Sequence, residues 1–251
     1  PSEIEVFSMG DAINSQFPEY GPIFNADNNL MIFTSCRPDT KGGSKDSYDG
    51  RYFEDIYISK KENDVWLKPE NVGSPINTNG NDAVVAMSPD GQKVYFYKFE
   101  NGNGDLFRSD FTSEGWAEPY RMPEPINSKY WEPSMSVAPD EKTVYFASNR
   151  PGGLGGTDIY MVKKLPNGEW AEPMNLGEPI NSKYDEDSPF IQADGSTLYF
   201  SSNGHNTMGG FDIFKTKLEN NEIWSNPKNV GYPINTVKDD IYYVVSPDGK
   251  T

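Results

Sequence analysis

The chain has 251 residues and a single cysteine, Cys36, which rules out an intrachain disulfide and a cysteine-based zinc site. Thirty-eight acidic residues against 22 basic ones give a formal net charge of −16, which disfavours nucleic acid and anionic membrane surfaces as partners. No apolar run approaches the length of a membrane span, so we expect a single domain covering residues 1–251, without direct membrane insertion.

The chain is built from copies of one sequence unit. Residues 126–179 and 180–233 match each other without a gap over 54 residues. Looser copies cover residues 13–75 and 76–125, and a fifth starts at residue 234 and reaches residue 251. Self-similarity at a period of about 50 residues is the signature of a propeller or a solenoid.

Each copy predicts four short strands and no helix. In the third copy, residues 132–138 form the first strand, and Thr143–Ser148, rich in β-branched and aromatic residues, form the second. The third strand runs over Asp158–Val162, and the fourth begins at Trp170. Four antiparallel strands per repeat, arranged radially, make a propeller blade. We therefore predict an all-β chain that folds as a five-bladed β-propeller of four-stranded antiparallel blades.

The fifth blade is predicted to be shared between the two ends of the chain. Residues 1–12 carry no signal-peptide pattern, so we expect any export signal to be removed or to lie outside this sequence. Their second half matches the ends of the other copies, which predicts an outer strand paired in one blade with an inner strand over Asp240–Ser246. Such pairing closes the ring and removes an exposed sheet edge. Because Thr251 stops inside the next turn, we expect this blade to be truncated and the natural protein to continue. The predicted blades are residues 13–75, 76–125, 126–179, 180–233, and 234–251 together with 1–12.

Three landmarks recur in the copies. A Trp lies ten residues before the Ile that opens the next copy, and we assign it to packing between blades. One Asp opens the third strand, and another stands in the turn after the first strand, where short polar side chains bond to nearby backbone groups. These residues are Trp66, Trp116, Trp170 and Trp224; Asp55, Asp105, Asp158 and Asp212; and Asp27, Asp90, Asp140, Asp194 and Asp248.

The repeat resembles a known family. The segments SPDGQKVYF, APDEKTVYFASNRPGGLGGTDIY and ADGSTLYFSSNGHNTMGGFDIF are similar to the WD-like β-propeller repeat found in TolB. They are still more similar to the version in OmpA-type periplasmic lipoproteins, including the PorE-like component of type IX secretion, where the repeat ends in a W…P.NLG..IN segment like residues 170–181. The resemblance implies a non-enzymatic, outer-membrane-associated scaffold in the periplasm. Attachment to peptidoglycan would need an OmpA-like domain outside these residues.

One face of the predicted propeller collects two sets of loops, because strands of alternating direction bring the start of each copy next to the Gly-rich loop between its second and third strands. Trp131 is the only Trp off the repeat pattern, so packing between blades does not explain it. Exposed aromatic side chains beside an Arg suit recognition of a protein segment or a glycan. The alternative is that these side chains pack the loops. The candidate binding residues are Phe17, Arg37, Tyr130, Trp131, Arg150, Tyr184 and His205.

A carboxylate stands six residues after the Ile that opens each copy, and this spacing predicts a ring of carboxylates at the mouth of a central channel. Such a ring suits a cation or a basic peptide, and a pair of these residues suits the acid and base of a glycosidase. Because the same residue type recurs in every copy, we favour a structural role, with bonds to backbone amides or to the neighbouring inner strand. The five residues are Glu19, Asp82, Glu132, Glu186 and Asp240.

Enzyme motifs are missing from the sequence. The one histidine, His205, excludes a two-His metal motif, and neither a nucleophile elbow nor a phosphate-binding loop occurs. We therefore expect no cofactor and no metal, and a monomeric, non-catalytic protein-binding or assembly module of the cell envelope. The alternative function is a glycan-binding or glycoside-hydrolysing propeller that uses the channel carboxylates.

Overall fold

The computed structural model describes residues 4–47, 49–100, 103–219, 223–247 and 249. Within these ranges the regular elements are eighteen strands in four antiparallel sheets, and no helix is formed. Each of the first four sequence copies supplies one sheet, which confirms the prediction of an all-β chain with one sheet per copy.

Contacts between residues divide the chain into two units. The N-terminal unit contains residues 8–122 with the described part of 246–251, and the C-terminal unit contains residues 4–7 and 123–245. Each unit holds two sheets, so each also contains one complete boundary between neighbouring copies.

In the N-terminal unit, the first sheet has the order β1-β2-β3-β4, and β5 also pairs with β3. The second sheet has the order β10-β8-β7-β6, and β9 also pairs with β8. These strands are β1 Glu19–Phe24, β2 Leu30–Ser35, β3 Asp55–Glu62, β4 Val65–Trp66, β5 Glu70–Asn71, β6 Asp82–Met87, β7 Lys93–Glu100, β8 Asn103–Thr112, β9 Gly115–Trp116 and β10 Tyr120–Arg121.

In the C-terminal unit, the two sheets have the orders β11-β12-β13-β14 and β15-β16-β17-β18. These strands are β11 Met135–Val137, β12 Thr143–Ser148, β13 Asp158–Lys163, β14 Met174–Asn175, β15 Glu186–Ile191, β16 Thr197–Ser202, β17 Asp212–Lys217 and β18 Lys228–Asn229. Every residue of β12 and of β16 is buried, as expected for a strand that lies inside a sheet with both faces covered.

The predicted strands of the third copy agree with the structure in the centre of the sheet and differ at its edges. The second strand has the predicted bounds, and the third extends one residue further, to Lys163. The first strand begins at Met135 rather than at Glu132, because Pro133 has no N–H to donate to a ladder. Trp170 forms an isolated bridge with Lys164, and the fourth strand proper comes later, after Pro173.

Apolar side chains of neighbouring sheets form a shared core within each unit. In the C-terminal unit, Tyr145 and Ile159 of one sheet pack with Leu198 and Phe200 of the next, and Trp224 lies against them. Trp116 packs in the same way against the shared core of the N-terminal unit. The assignment of the recurring Trp to packing between sheets is therefore confirmed for Trp116 and Trp224, whereas Trp66 packs against Phe24 of its own sheet.

The described residues form four sheets rather than the five predicted blades. Residues 240–246, predicted as an inner strand, and residues 4–12 belong to no sheet. A strand takes its ladder hydrogen bonds from a neighbour, and none of the described strands pairs with residues 240–246. The predicted turn residue Asp248 and the ends of the chain, residues 1–3, 250 and 251, lie outside the described residues.

Candidate functional site

Each copy begins with a segment, here called an opening loop, that folds back on its own carboxylate. This carboxylate is buried in Asp82, Glu132 and Glu186 and partly buried in Glu19 and Asp240. In the opening loop of residues 180–186, the N–H and the hydroxyl of Ser182 donate to the carboxylate of Glu186 at 2.8 and 2.7 Å. The hydroxyl of Ser202, at the end of β16, donates to the same carboxylate at 2.7 Å. Glu186 is fully buried, so this carboxylate fixes the loop to the start of the sheet. The other opening loops are residues 13–19, 76–82, 126–132 and 234–240.

A basic side chain closes the opening loop from the other side. In the third copy, the guanidinium of Arg150 donates to the carbonyl oxygens of Pro125 and Ile126 at 3.0 and 2.9 Å. It also donates to the carboxylate of Glu132 at 3.2 Å. The guanidinium carbon lies 4.7 Å from the ring centroid of Phe146, a cation–π geometry. Arg150 therefore holds the loop in place and is largely enclosed by it.

Two other predicted binding residues occupy the same place in their copies. Arg37 donates to the carbonyl oxygen of Ile13 and, at 3.2 Å, to the carboxylate of Glu19. His205 places Nε2 2.7 Å from the carbonyl oxygen of Ile180, with its ring between aromatic side chains of its own sheet. The basic residues of the predicted binding set thus bond inside their own copies, and a role in recognition stays a prediction.

The five opening-loop carboxylates share this local bonding. Both oxygens of Glu132 and both of Glu186 accept hydrogen bonds from loop N–H groups or hydroxyl groups. Asp82 accepts from the N–H and the hydroxyl of Thr78, and burial raises its pKa to about 6. This bonding supports the structural role favoured from the sequence. A ring of all five would involve both units and stays a prediction.

The Gly-rich loops of the C-terminal unit, residues 149–157 and 203–211, are each anchored on the Asp that opens the next strand. The N–H groups of Leu154 and Gly155 donate to the carboxylate of Asp158 at 2.5 and 3.1 Å. The N–H of Met208 donates to Asp212 at 2.7 Å. These two loops are called the glycine loops below.

Each glycine loop also touches the opening loop of the following copy. A Cβ built on Gly155 would lie 1.6 Å from the carbonyl oxygen of Tyr184, and one built on Gly209 would lie 2.5 Å from that of Lys238. The N–H of Gly156 donates to the Tyr184 carbonyl at 2.9 Å. A side chain has no room at Gly155, so glycine is required there for contact between the loops.

An asparagine network links the same elements and was missed in the sequence. Asn181 accepts from the N–H of Ile159 at 2.8 Å and donates to its carbonyl at 2.9 Å. It also donates to Asn175, which in turn donates to Asp158 at 2.9 Å. Asn77 and Asn235 bond to Ile56 and Ile213 in the same way. The signal was available, because an Asn directly follows the opening Ile of every copy.

The aromatic residues of the predicted binding set lie at the surface. Trp131 and Tyr184 are 44% and 48% exposed, and Tyr130 is half-buried. The ammonium groups of Lys129 and Lys183 lie 5.2 Å from the ring centroids of Tyr130 and Tyr184, respectively. These aromatic residues all belong to opening loops of the C-terminal unit.

Phe17, the remaining member of the predicted set, lies in the N-terminal unit. It is half-buried, and its ring packs edge-on against Tyr52 with the centroids 6.0 Å apart. The contact suits the alternative that aromatic residues pack the loops.

The structure adds exposed apolar side chains that the sequence did not single out. Leu154 and Met208, at equivalent positions of the two glycine loops, are 50% and 49% exposed. Val237, in the opening loop of residues 234–240, is 82% exposed. An alignment of the copies could have identified them. Leu154 and Met208 directly precede the glycines of the loop contact, and Val237 directly precedes Lys238, whose backbone Gly209 contacts.

The described residues contain neither a metal-binding cluster nor a membrane-spanning helix. No group of three or more His, Cys, Asp or Glu side chains in these ranges is placed to hold a metal ion. No helix among them is long and apolar enough to cross a membrane.

Comparisons with known proteins identify the fold. No family model matches the sequence, and no curated protein matches it. The crystal structure of TolB from Acinetobacter baumannii is similar over 95% of this chain, with a TM-score of 0.61 and 19% identity. A putative TolB from Agrobacterium tumefaciens is similar over 94% of this chain and 88% of its own, with a TM-score of 0.53 and 14% identity. The chain has the fold of TolB-type β-propellers.

The match has limits of length and identity. The chain spans 49% of the Acinetobacter TolB chain. The crystal structure of puromycin hydrolase is also similar, over 87% of this chain and 33% of its own, but its TM-score of 0.48 and identity of 12% are too low to carry an argument. The two TolB structures therefore establish the propeller fold and nothing about function.

Proposed function

We propose that the chain is a non-catalytic binding scaffold that recognises a protein partner through the opening loops of the C-terminal unit. The observation that carries this proposal is the exposure of Trp131 and Tyr184 on loops whose backbone is fixed by buried carboxylates. Trp and Tyr are common hot-spot residues at protein interfaces. A loop that is already rigid loses little conformational entropy on binding, so exposed aromatic side chains there favour association.

The envelope location is the second part of the proposal. Similarity of the repeat to OmpA-type periplasmic lipoproteins, together with the TolB-type fold, supports a periplasmic, outer-membrane-associated protein. We infer that the chain is the propeller module of such a lipoprotein and acts as a monomer in envelope assembly, with type IX secretion as the specific process. Peptidoglycan attachment, if the whole protein has it, would come from a domain outside these residues.

The glycan-hydrolysing alternative receives no support from the carboxylates. A glycosidase needs an acid and a base that reach the substrate. Glu132 and Glu186 are fully buried, and both carboxylates are occupied by donors from their own loops. Sugar hydrolysis that is lost on Glu132→Gln would nevertheless replace the scaffold proposal.

A fifth blade that begins at Asp240 belongs to the same proposal. The N–H of Asp240 donates to the carbonyl of Phe211 at 2.7 Å, as the N–H of Glu186 donates to the carbonyl of Thr157 at 2.9 Å. Tyr242 has a positive φ of 62°, and Ser188, the corresponding residue of the fourth copy, has one of 49°. Residues 240–246 thus begin like an inner strand. Hydrogen exchange as fast as in an unfolded peptide across residues 241–245 would count against this blade.

The proposed partner binding is tested with this protein as bait in periplasmic and outer-membrane extracts. The wild type is compared with the triple variant Tyr130→Ala, Trp131→Ala, Tyr184→Ala. We expect one protein to be retained by the wild type and lost by the triple variant, since truncated hot spots cost most of the binding energy.

The matched control is Phe17→Ala, which removes an aromatic residue from an opening loop of the N-terminal unit and should retain the partner. Capture of the same protein by wild type and triple variant would show that the proposed face is wrong. Capture of no protein by the wild type would reject the scaffold.

A further inference from the structure

The glycine loops of the C-terminal unit display apolar side chains on fixed backbone. Leu154 and Met208 are each about half exposed, and the N–H of each is bonded to a buried Asp at the start of the next strand. The backbone of these residues is therefore held, while their side chains face solvent. Exposed aliphatic side chains cost solubility, and a cluster of them marks an interaction site more often than a lone one does.

These side chains do not stand alone. Tight contact of Gly155 with the Tyr184 carbonyl puts Leu154 beside Tyr184, and contact of Gly209 with the backbone of Val237 and Lys238 puts Met208 beside Val237. The Cβ position of Gly204 lies 2.9 Å from Cβ of Tyr184, so the second glycine loop also borders Tyr184. The four residues therefore lie on two glycine loops and two opening loops that contact one another in turn. We call Leu154, Tyr184, Met208 and Val237 the apolar row.

Lysines flank the apolar row, although the chain as a whole has a net charge of −16. Lys183 adjoins Tyr184 and Lys238 adjoins Val237; both lysines are exposed, and neither forms an ion pair among the described residues. The carboxylates of the same two opening loops accept hydrogen bonds from N–H or hydroxyl groups inside the protein. These are Asp185, Glu186, Asp239 and Asp240.

The N-terminal unit shows that the fold does not require this surface. Lys41 occupies the position of Leu154 and Met208 there, because its N–H donates to Asp55 at 2.6 Å in the same way. Its ammonium group bonds to the hydroxyl of Ser74, and the facing opening loop has Asn79 where the fourth copy has Lys183. The same hydrogen bond from loop N–H to Asp is made with a lysine at this position, so the fold does not require an apolar side chain there.

We propose that the apolar row binds an extended segment of a partner protein in which apolar side chains are interspersed with carboxylates. The inference rests on the proposed scaffold function and names the chemistry of its partner. Apolar side chains of the segment would cover the row, and its carboxylates would meet Lys183 and Lys238. An anionic membrane surface is less suited, because the acidic remainder of the chain would be repelled by it.

The test uses random peptides displayed on phage and selected on the wild-type protein. The expected result is enrichment of peptides that combine Leu, Ile, Phe or Met with Asp or Glu. A synthetic copy of an enriched peptide should bind the double variant Leu154→Ser, Met208→Ser at least about tenfold more weakly, the loss expected for removal of interface hot spots. Binding should also weaken with added salt, because surface charges are screened.

Lys41→Ser is the matched control, since it changes the equivalent position of the N-terminal unit and should leave peptide affinity unchanged. Urea unfolding of each variant establishes that the fold is retained. Enriched peptides without acidic residues, equal affinity for wild type and double variant, or no enrichment would each overturn the inference. So would binding to phosphatidylglycerol vesicles that is lost in the double variant.

The two proposals fail differently. An envelope protein retained by the wild type, lost by the Trp131 triple variant, and retained by Leu154→Ser, Met208→Ser would leave the scaffold standing and reject the apolar row. Retention of no protein and enrichment of no peptide by the wild type would reject both.

Discussion

In the N-terminal unit, the loop of Lys41 meets the opening loop of Asn79 with polar side chains on both. In the C-terminal unit, the equivalent loops meet with Leu154 beside Tyr184 and Met208 beside Val237. Beneath this surface the two units use the same bonds, from loop N–H to Asp and from Asn to the backbone of the third strand. The buried hydrogen bonds of the repeat are thus the same in both units, whereas the exposed side chains of its loops differ. The buried positions form the boundaries between sheets, and the exposed loop side chains are where function can vary.

The strongest test of the shared interior is removal of a basic side chain that closes an opening loop. Arg150→Ala would leave the buried carboxylate of Glu132 without its cation. We expect the free energy of unfolding to fall by about 3–5 kcal/mol, the usual cost of breaking a buried ion pair. Arg37→Ala should cost a similar amount through Glu19. Urea unfolding measures the free energy of unfolding of both variants. A loss below about 1 kcal/mol for either would show that its basic side chain does not stabilise the opening loop as proposed.

The stability cost of replacing a glycine at the contact between loops should differ between the two units. In Gly155→Ala the new Cβ would overlap the backbone oxygen of Tyr184, whereas in Gly42→Ala it would lie 3.1 Å from the backbone oxygen of Asn79. Neither glycine has a positive φ, so the comparison isolates packing from backbone strain. We expect a loss of about 3 kcal/mol for Gly155→Ala and under about 1 kcal/mol for Gly42→Ala. Equal midpoints in thermal unfolding would mean that the C-terminal loops are no more tightly packed.

The smallest effect concerns pH and lies in the N-terminal unit. Burial raises the pKa of Asp82 in the folded protein to about 6, above the ordinary value of 3.8. A raised carboxyl pKa means that the folded state binds the proton more tightly than the unfolded state does. The stability that this protonation contributes is fully present below about pH 4 and is lost as pH rises through about 6. Asp82→Asn should therefore abolish about 2 kcal/mol of decline in unfolding free energy between these pH values. Parallel curves of stability against pH for variant and wild type would contradict the assignment.

The centre of each sheet could be predicted from the sequence because its strands are apolar and rich in β-branched residues. Thr143–Ser148 is buried throughout, and nothing competes with a strand there. The bounds of the edge strands were predicted less well. Pro133 shortened the first strand of the third copy, and Trp170 formed an isolated bridge outside the main ladder. Residues 240–246, predicted as an inner strand, belong to no sheet of the described residues, because a sequence pattern does not specify which strand would supply their ladder hydrogen bonds.

The candidate site was predictable in part. The aromatic residues Trp131 and Tyr184 are exposed on opening loops, and of the two only Trp131 departs from the repeat pattern. Arg150 was placed in the same set, but its guanidinium bonds to the carbonyl oxygens of Pro125 and Ile126. Sequence position alone does not show whether a long side chain turns outward or folds back onto its own loop. Only the geometry of the loop decides that.

Contact between a glycine loop and the next opening loop has a consequence for how such a chain can grow. Residues 126–179 and 180–233 each combine an opening loop at their start with a glycine loop in their middle that touches the next opening loop. A duplicate of residues 180–233 inserted after residue 233 would find a complementary surface at both of its boundaries. The local contacts therefore specify how neighbouring copies join, and they do not specify how many copies the chain contains.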